Sequence, residues 1–137
     1  MKRQKLEVYF LTFQFILWFF SLNGQNFVTD PKGEIQEHFD SLQVQYSINT
    51  TGDGLEYLHF KDGEITVSYY FNNVNICIVY KMFFPEDGFR ESIDALDNSF
   101  EPLNGGKWRE FDGQQYFIWS LDRLEKGYSI TVTAEFY

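Results

Sequence analysis

Between Leu55 and Phe84 the chain alternates apolar and polar residues, with breaks at Asp62-Gly63 and Asn72-Asn73. The pattern predicts three antiparallel strands joined by two tight turns, because a two-residue type I′ hairpin needs φ > 0 at both central positions, which Asp, Asn and Gly tolerate. Two-residue turns would pair Phe60 with Ile65, Leu58 with Val67 and Glu56 with Tyr69, then Phe71 with Val74, Tyr69 with Ile76, Val67 with Ile78 and Ile65 with Tyr80. All but Glu56 are apolar or aromatic, so both turns agree on one buried face. The other face would carry Tyr57, His59, Ser68, Tyr70 and Cys77, with Glu64 beside Lys81 as a cross-strand ion pair.

A helix is predicted before this meander. Asp30 suits an N-cap with Pro31 at the first helical position, and Ile35, Phe39, Leu42 and Tyr46 fall on one stripe. Residues 47–54, Ser-Ile-Asn-Thr-Thr-Gly-Asp-Gly, read as a polar loop. After Pro85 the same stripe spacing returns in Phe89, Ile93, Leu96 and Phe100, in a helix that ends by Pro102. Three more strands follow, Trp108 to Phe111, Gln115 to Leu121 and Tyr128 to Phe136. Closing the last turn would pair Leu121 with Tyr128, Trp119 with Ile130 and Phe117 with Val132, and a two-residue turn at Asp112-Gly113 would bury Trp108 rather than Phe111.

The expected fold is therefore α+β: two tandem αβββ units, residues 30–84 and 85–137, forming a mainly antiparallel six-stranded sheet with both helices on one face. Length and a 20% aromatic content suit a single packed domain over residues 25–137.

Ahead of it, Met1 to Gly24 has the pattern of a secretory signal peptide. Lys2, Arg3 and Lys5 precede an apolar run from Val8 to Phe20 that is broken only by Thr12 and Gln14. As a helix that run reaches about 20 Å, short of the ~30 Å hydrocarbon core, so no stable membrane span is expected after cleavage. The formal charge of −9 disfavours nucleic acid and anionic membrane surfaces. With one cysteine, Cys77, the chain forms no internal disulfide.

The inventory for catalysis is short. His38, His59 and Cys77 are the histidines and the cysteine, and no phosphate loop, nucleophile elbow, zinc-protease or dinucleotide motif implies a cofactor. A Cys77–His59 pair would share the open face at roughly 12 Å, too far for thiol activation. Asn49, Asp53 and Glu56 offer oxygen ligands without the spacing of an EF-hand loop. Glu56 and Glu110, each ahead of an Asp-Gly turn, form a conceivable carboxylate pair for glycoside hydrolysis. Asn49-Thr50-Thr51 matches a glycosylation sequon.

More distinctive is the sheet side that neither helix would cover. It carries the candidate binding residues Tyr57, His59, Tyr70, Val79, Tyr116 and Ile118 among serines and threonines, a mixture that suits a protein or glycan contact because Tyr adds rigid area with a polar tip.

The leader ending Ser-Leu-Asn-Gly-Gln, and the central run Tyr-Tyr-Phe-Asn-Asn-Val-Asn-Ile-Cys-Ile-Val-Tyr-Lys, resemble small exported proteins of unknown function from Gram-negative bacteria of the Bacteroidetes type. That resemblance implies a periplasmic or secreted location and transfers no catalytic residue. The tandem layout is similar to duplicated inhibitor and interaction modules built on a curved sheet. The leading expectation is an exported non-enzymatic binding domain contacting a protein or envelope component. The alternatives are a small hydrolase or metal-dependent enzyme using Glu56, His59 and Asp53, and a structural subunit of an envelope assembly.

Overall fold

A computed structural model of the chain describes residues 26–135; the signal-peptide reading of residues 1–24 lies outside them. The fold is α+β. Helix α1 (Lys32–Ser41) precedes β1 (Ser47–Thr50), β2 (Glu56–Asp62), β3 (Ile65–Phe71) and β4 (Cys77–Phe84). Helix α2 (Phe89–Ser99) then precedes β5 (Glu101–Leu103), β6 (Lys107–Phe111), β7 (Tyr116–Arg123) and β8 (Tyr128–Ala134). The strands form one antiparallel sheet of eight, in the order β1-β2-β3-β4-β8-β7-β6-β5, rather than the six expected. Both additional strands are short edges. β1 occupies what reads as a polar loop, and all four of its residues are exposed, so burial leaves no alternation to detect. β5 holds Pro102, which serves an edge strand as well as it stops a helix.

The three hairpin registers expected from the sequence all differ from those observed, and outside the bulged Phe71–Cys77 pair each difference is an even number of residues. Only Gly63 has φ > 0 in the first turn, so Gly63-Glu64 forms the two-residue connection, with glycine at the first central position as a type II′ turn requires. Leu58 consequently faces Tyr69, and Phe60 faces Val67. The second turn is a wider loop held by Asn72, whose Oδ1 accepts from the Val74 and Ile76 amides, with Asn75 at φ 61°. Tyr69 thus faces Tyr80 rather than Ile76, Val74 is solvent-exposed, and a bulge leaves Ile78 outside the ladder. In the last hairpin Trp119 faces Val132 instead of Ile130. Because side chains alternate with period two, such shifts move partners without exchanging faces.

The bulge does exchange one residue. Cys77, expected on the open face, sits opposite Phe71 and is fully buried in the core. The expected Glu64–Lys81 pair is likewise absent, since Lys81 lies opposite Ser68 and Thr131.

One row of directly opposed residues crosses the sheet through the core: Leu58, Tyr69, Tyr80, Val132, Trp119 and Trp108, all buried. Tyr69 and Tyr80 stack at 4.7 Å and 5°. Both helices pack on this face. Phe39 of α1 lies 5.0 Å from Phe60 and 5.7 Å from Tyr69, while Phe100, at the end of α2, stacks on Trp119 at 4.8 Å. The centre of α2 is Ser92, Ala95 and Leu96 rather than the outer members of its stripe. Buried Ser92 is satisfied by the Tyr128 hydroxyl at 2.6 Å, which in turn donates to the Gly88 carbonyl at 3.2 Å. Trp108, buried where Phe111 stays exposed, donates its indole N–H to Asp97 of α2 at 2.8 Å.

At the start of α1 the N-cap is Pro31, not Asp30, and no side chain caps the helix. Instead the Asp30 carbonyl accepts from the Cys77 amide, and Thr29 and Lys32 donate to the Cys77 and Asn75 carbonyls, tying the entry of α1 to the start of β4. The helix closes early. Gln43 takes φ 57°, and the Val44 amide reaches back to the Phe39 carbonyl, a Schellman closure that leaves Leu42 exposed.

Candidate binding face

With both described helices on one side, the alternation of each strand fixes what the other side presents. All six candidate residues lie there, none of them fully exposed and none fully buried. Read across the ladders, one row runs Asn49, Tyr57, Tyr70, Val79, Thr133, Ile118, Arg109 and Glu101. The next runs Ser47, His59, Ser68, Lys81, Thr131, Ser120 and Lys107.

The register shift in the first hairpin sets Tyr57 directly opposite Tyr70, and their rings stack at 5.2 Å and 25°. His59 extends the cluster, 5.3 Å from Tyr57, with Nε2 2.7 Å from the Asn49 amide nitrogen. Burial pushes the Tyr70 phenol above its usual range, which keeps it protonated and able to donate.

A second aromatic group lies towards the other edge. Tyr116 packs on Phe111 at 4.8 Å, and the Arg109 guanidinium lies over the Tyr116 ring at 5.4 Å while holding Glu135 through two 3.0 Å bonds. Beside it, where β5 ends short of β6, a groove of about 340 Å³ is bounded by Phe100, Glu101, Arg109, Glu110, Phe111 and Tyr116. Arg109, Phe111 and Asn49 join this face although the sequence pattern does not single them out. Burying Trp108 would have placed Arg109 and Phe111 on the open side by alternation alone, whereas Asn49 required knowing that β1 exists.

The catalytic constellations do not assemble. Glu56 faces the helix layer and pairs with Lys32, His59 faces the opposite side, and Asp53 sits in the exposed β1–β2 turn. The Thr51 hydroxyl bonded to Asp53 holds that carboxyl below the usual carboxylate range. Glu56 and Glu110 lie on β2 and β6, five strand spacings apart, roughly 24 Å where glycoside hydrolysis needs about 5–10 Å. Among the described residues no three His, Cys, Asp or Glu side chains gather to hold a metal ion. No helix among them is long and apolar enough to cross a membrane.

Cys77 and His59 project to opposite faces, and burial pushes the Cys77 thiol up to about 12. A thiol-specific disulfide reagent at pH 8 is therefore expected to leave the native protein unmodified and to react with one equivalent after denaturation. Rapid reaction of the folded protein would show that β4 opens at its N-terminal end.

No family model, curated protein or solved structure matches this chain.

Proposed function

We propose that this chain is an exported, non-enzymatic binding domain whose sheet face opposite the two described helices, the helix-free face among the described residues, contacts a protein or envelope component. The observation that carries the reading is the gathering of Tyr57, His59, Tyr70, Val79, Tyr116 and Ile118 on one face, in two half-exposed aromatic groups joined by an aliphatic bridge. Tyrosines held in stacks have already lost much of their rotamer freedom, so a partner can be bound with little further ordering. The apolar run after the basic N-terminal residues supports export.

The same reading takes the domain as a copied helix-plus-strands block. Its support is the element order, a helix followed by four strands and then again a helix followed by four, with the last strand of each half meeting at the β4–β8 seam. Such a copy would double a platform that a single helix could back only in part.

Substituting Tyr57, Tyr70 and Tyr116 with Ser tests the assignment. These side chains lie off the helix-packed core, so the triple variant is expected to keep its thermal midpoint within a few degrees while losing capture of whatever the parent chain retains from envelope extract. Equal capture by parent and variant would remove the assignment.

A further inference from the structure

Resting on that reading, we propose that the occupant of the helix-free face is an acidic polypeptide segment with an apolar edge, supplied by a partner protein. The chain is strongly acidic, with 20 Asp and Glu against 11 Lys and Arg. The helices carry much of that excess, in Glu34, Glu37 and Asp40 on α1 and Glu91, Asp94 and Asp97 on α2. The helix-free face is different. Lys61, Lys81 and Lys107 project from it, opposite Thr66, Ser68 and Ser120, and none has a carboxylate within ion-pair distance among the described residues. Of the acids on this side, Glu101 and Glu135 are engaged by Arg109, while Asp122, opposite Ser129 and two residues beyond Ser120, leaves the three lysines in excess. Three of the five described lysines and arginines without an ion pair, Arg90 and Lys126 being the others, therefore stand on the one side that neither described helix covers. The helix acids lie across the sheet, about one 8–10 Å screening length away, so local pairing outweighs the overall charge.

The pattern also selects among acidic partners. His59, Lys81 and Lys107 share one cross-strand row, with roughly 10 Å between the first two and roughly 14 Å between the last two. The row of Tyr57, Tyr70, Val79 and Ile118 runs parallel to it, two residues or about 7 Å away. A ligand spanning both meets an aliphatic-aromatic stripe on one flank and, on the other, the Lys81 and Lys107 cations with the His59 ring beside them. An acidic glycan would leave Val79 and Ile118 unused, and the Tyr57–Tyr70 stack hides ring faces on which a sugar would lie. A polypeptide satisfies both flanks, over about seven residues if extended or about sixteen if helical.

The test is selection of a displayed library of random peptides of about sixteen residues against the immobilised chain, followed by titration of the enriched peptides against variants. Enriched peptides are expected to combine Asp and Glu with apolar residues. Their affinity is expected to fall at least about fivefold with Lys81→Glu plus Lys107→Glu, and to weaken with added salt. Enrichment without an acidic excess, or binding indifferent to the charge reversals but lost in Tyr57→Ser plus Tyr70→Ser, overturns the acidic partner and leaves the binding face standing. Binding indifferent to both pairs, or no enrichment at all, overturns both. Displacement of the peptides by alginate, or self-association of the chain abolished by the same charge reversals, overturns the proposal in favour of an acidic glycan or a second copy.

Discussion

Replacing Gly127 with alanine is expected to lower the unfolding free energy by about 3 kcal/mol or more, read as a fall in the urea midpoint. Gly127 sits just before β8 at φ 97°, a conformation that costs an L side chain on the order of 1–2 kcal/mol by itself. Its surroundings add the rest. A Cβ there would overlap the Phe84 carbonyl oxygen, which is backbone and belongs to the last residue of β4. Phe84 faces Tyr128 across the seam that joins the strands following α1 to those following α2, so relief requires β4 and β8 to part where they hold the halves together. Gly113→Ala is the control. Gly113 has φ 100° but nothing within 4 Å of the added methyl, so its cost is expected to stay near 1–2 kcal/mol. Equal costs at the two positions would mean that the seam yields freely.

What the sequence could and could not say about this fold follows from what each signal depends on. Face assignment rests on the period-two alternation of Leu58, Phe60, Val67, Tyr69 and Phe71, and a register error of two or four residues leaves it intact. Alternation therefore puts Tyr57, Tyr70 and Ile118 on the side away from the described helices whichever cross-strand partners they take. Register depends on turn geometry, and residue identity alone does not settle it. Asp62-Gly63 reads as the centre of a type I′ turn, yet only glycine takes the positive φ, and the turn moves one residue along. Strand existence depends on burial. Ser47 to Thr50 is paired on one side only and exposed throughout, so it leaves no hydrophobic trace. Cys77 was misplaced because a bulge breaks the alternation locally, which no period-two pattern reports.

The candidate face inherits this division. Its membership was legible, while its electrostatics were not, because the opposition of Lys81 to Ser68 and Thr131 rather than to Glu64 is a consequence of register. A shift of four residues thus separates a neutral cross-strand ion pair from a cation that lies over the Phe83 ring at 5.2 Å with no carboxylate partner. The same shift sets Tyr70 beside Val79, which extends the apolar stripe as far as Thr133.

On the helix side, Trp119→Ala is expected to cost about 3–5 kcal/mol in equilibrium unfolding, the range for emptying a buried aromatic site. Trp119 is fully buried between Val132 and Trp108, stacks with Phe100, and donates its indole N–H to Glu110 at 2.9 Å. Glu110 shows how part of that cost depends on pH. Burial raises its carboxyl above the usual range, against the opposing effect of the hydrogen bonds from Trp119 and Asn26. The folded state therefore holds this proton to higher pH than the unfolded chain does. Its contribution to stability is fully present below the ordinary carboxylate pKa and is lost as pH rises through the raised folded value. Glu110→Gln, which keeps an acceptor for the indole but cannot ionise, is expected to flatten the decline in stability that Glu110 contributes above about pH 4.5. Trp119→Phe keeps a ring in the core but removes the donor, leaving a half-buried carboxylate with one bond fewer, so its decline is expected to be steeper than the parent's and its loss to grow with pH. Asp30 is also raised by burial, so the difference between each variant and the parent isolates Glu110 from that shared background. If Trp119→Phe lost the same stability at pH 4 and pH 7, the indole would be filling space, with no electrostatic part in holding β6 to β7.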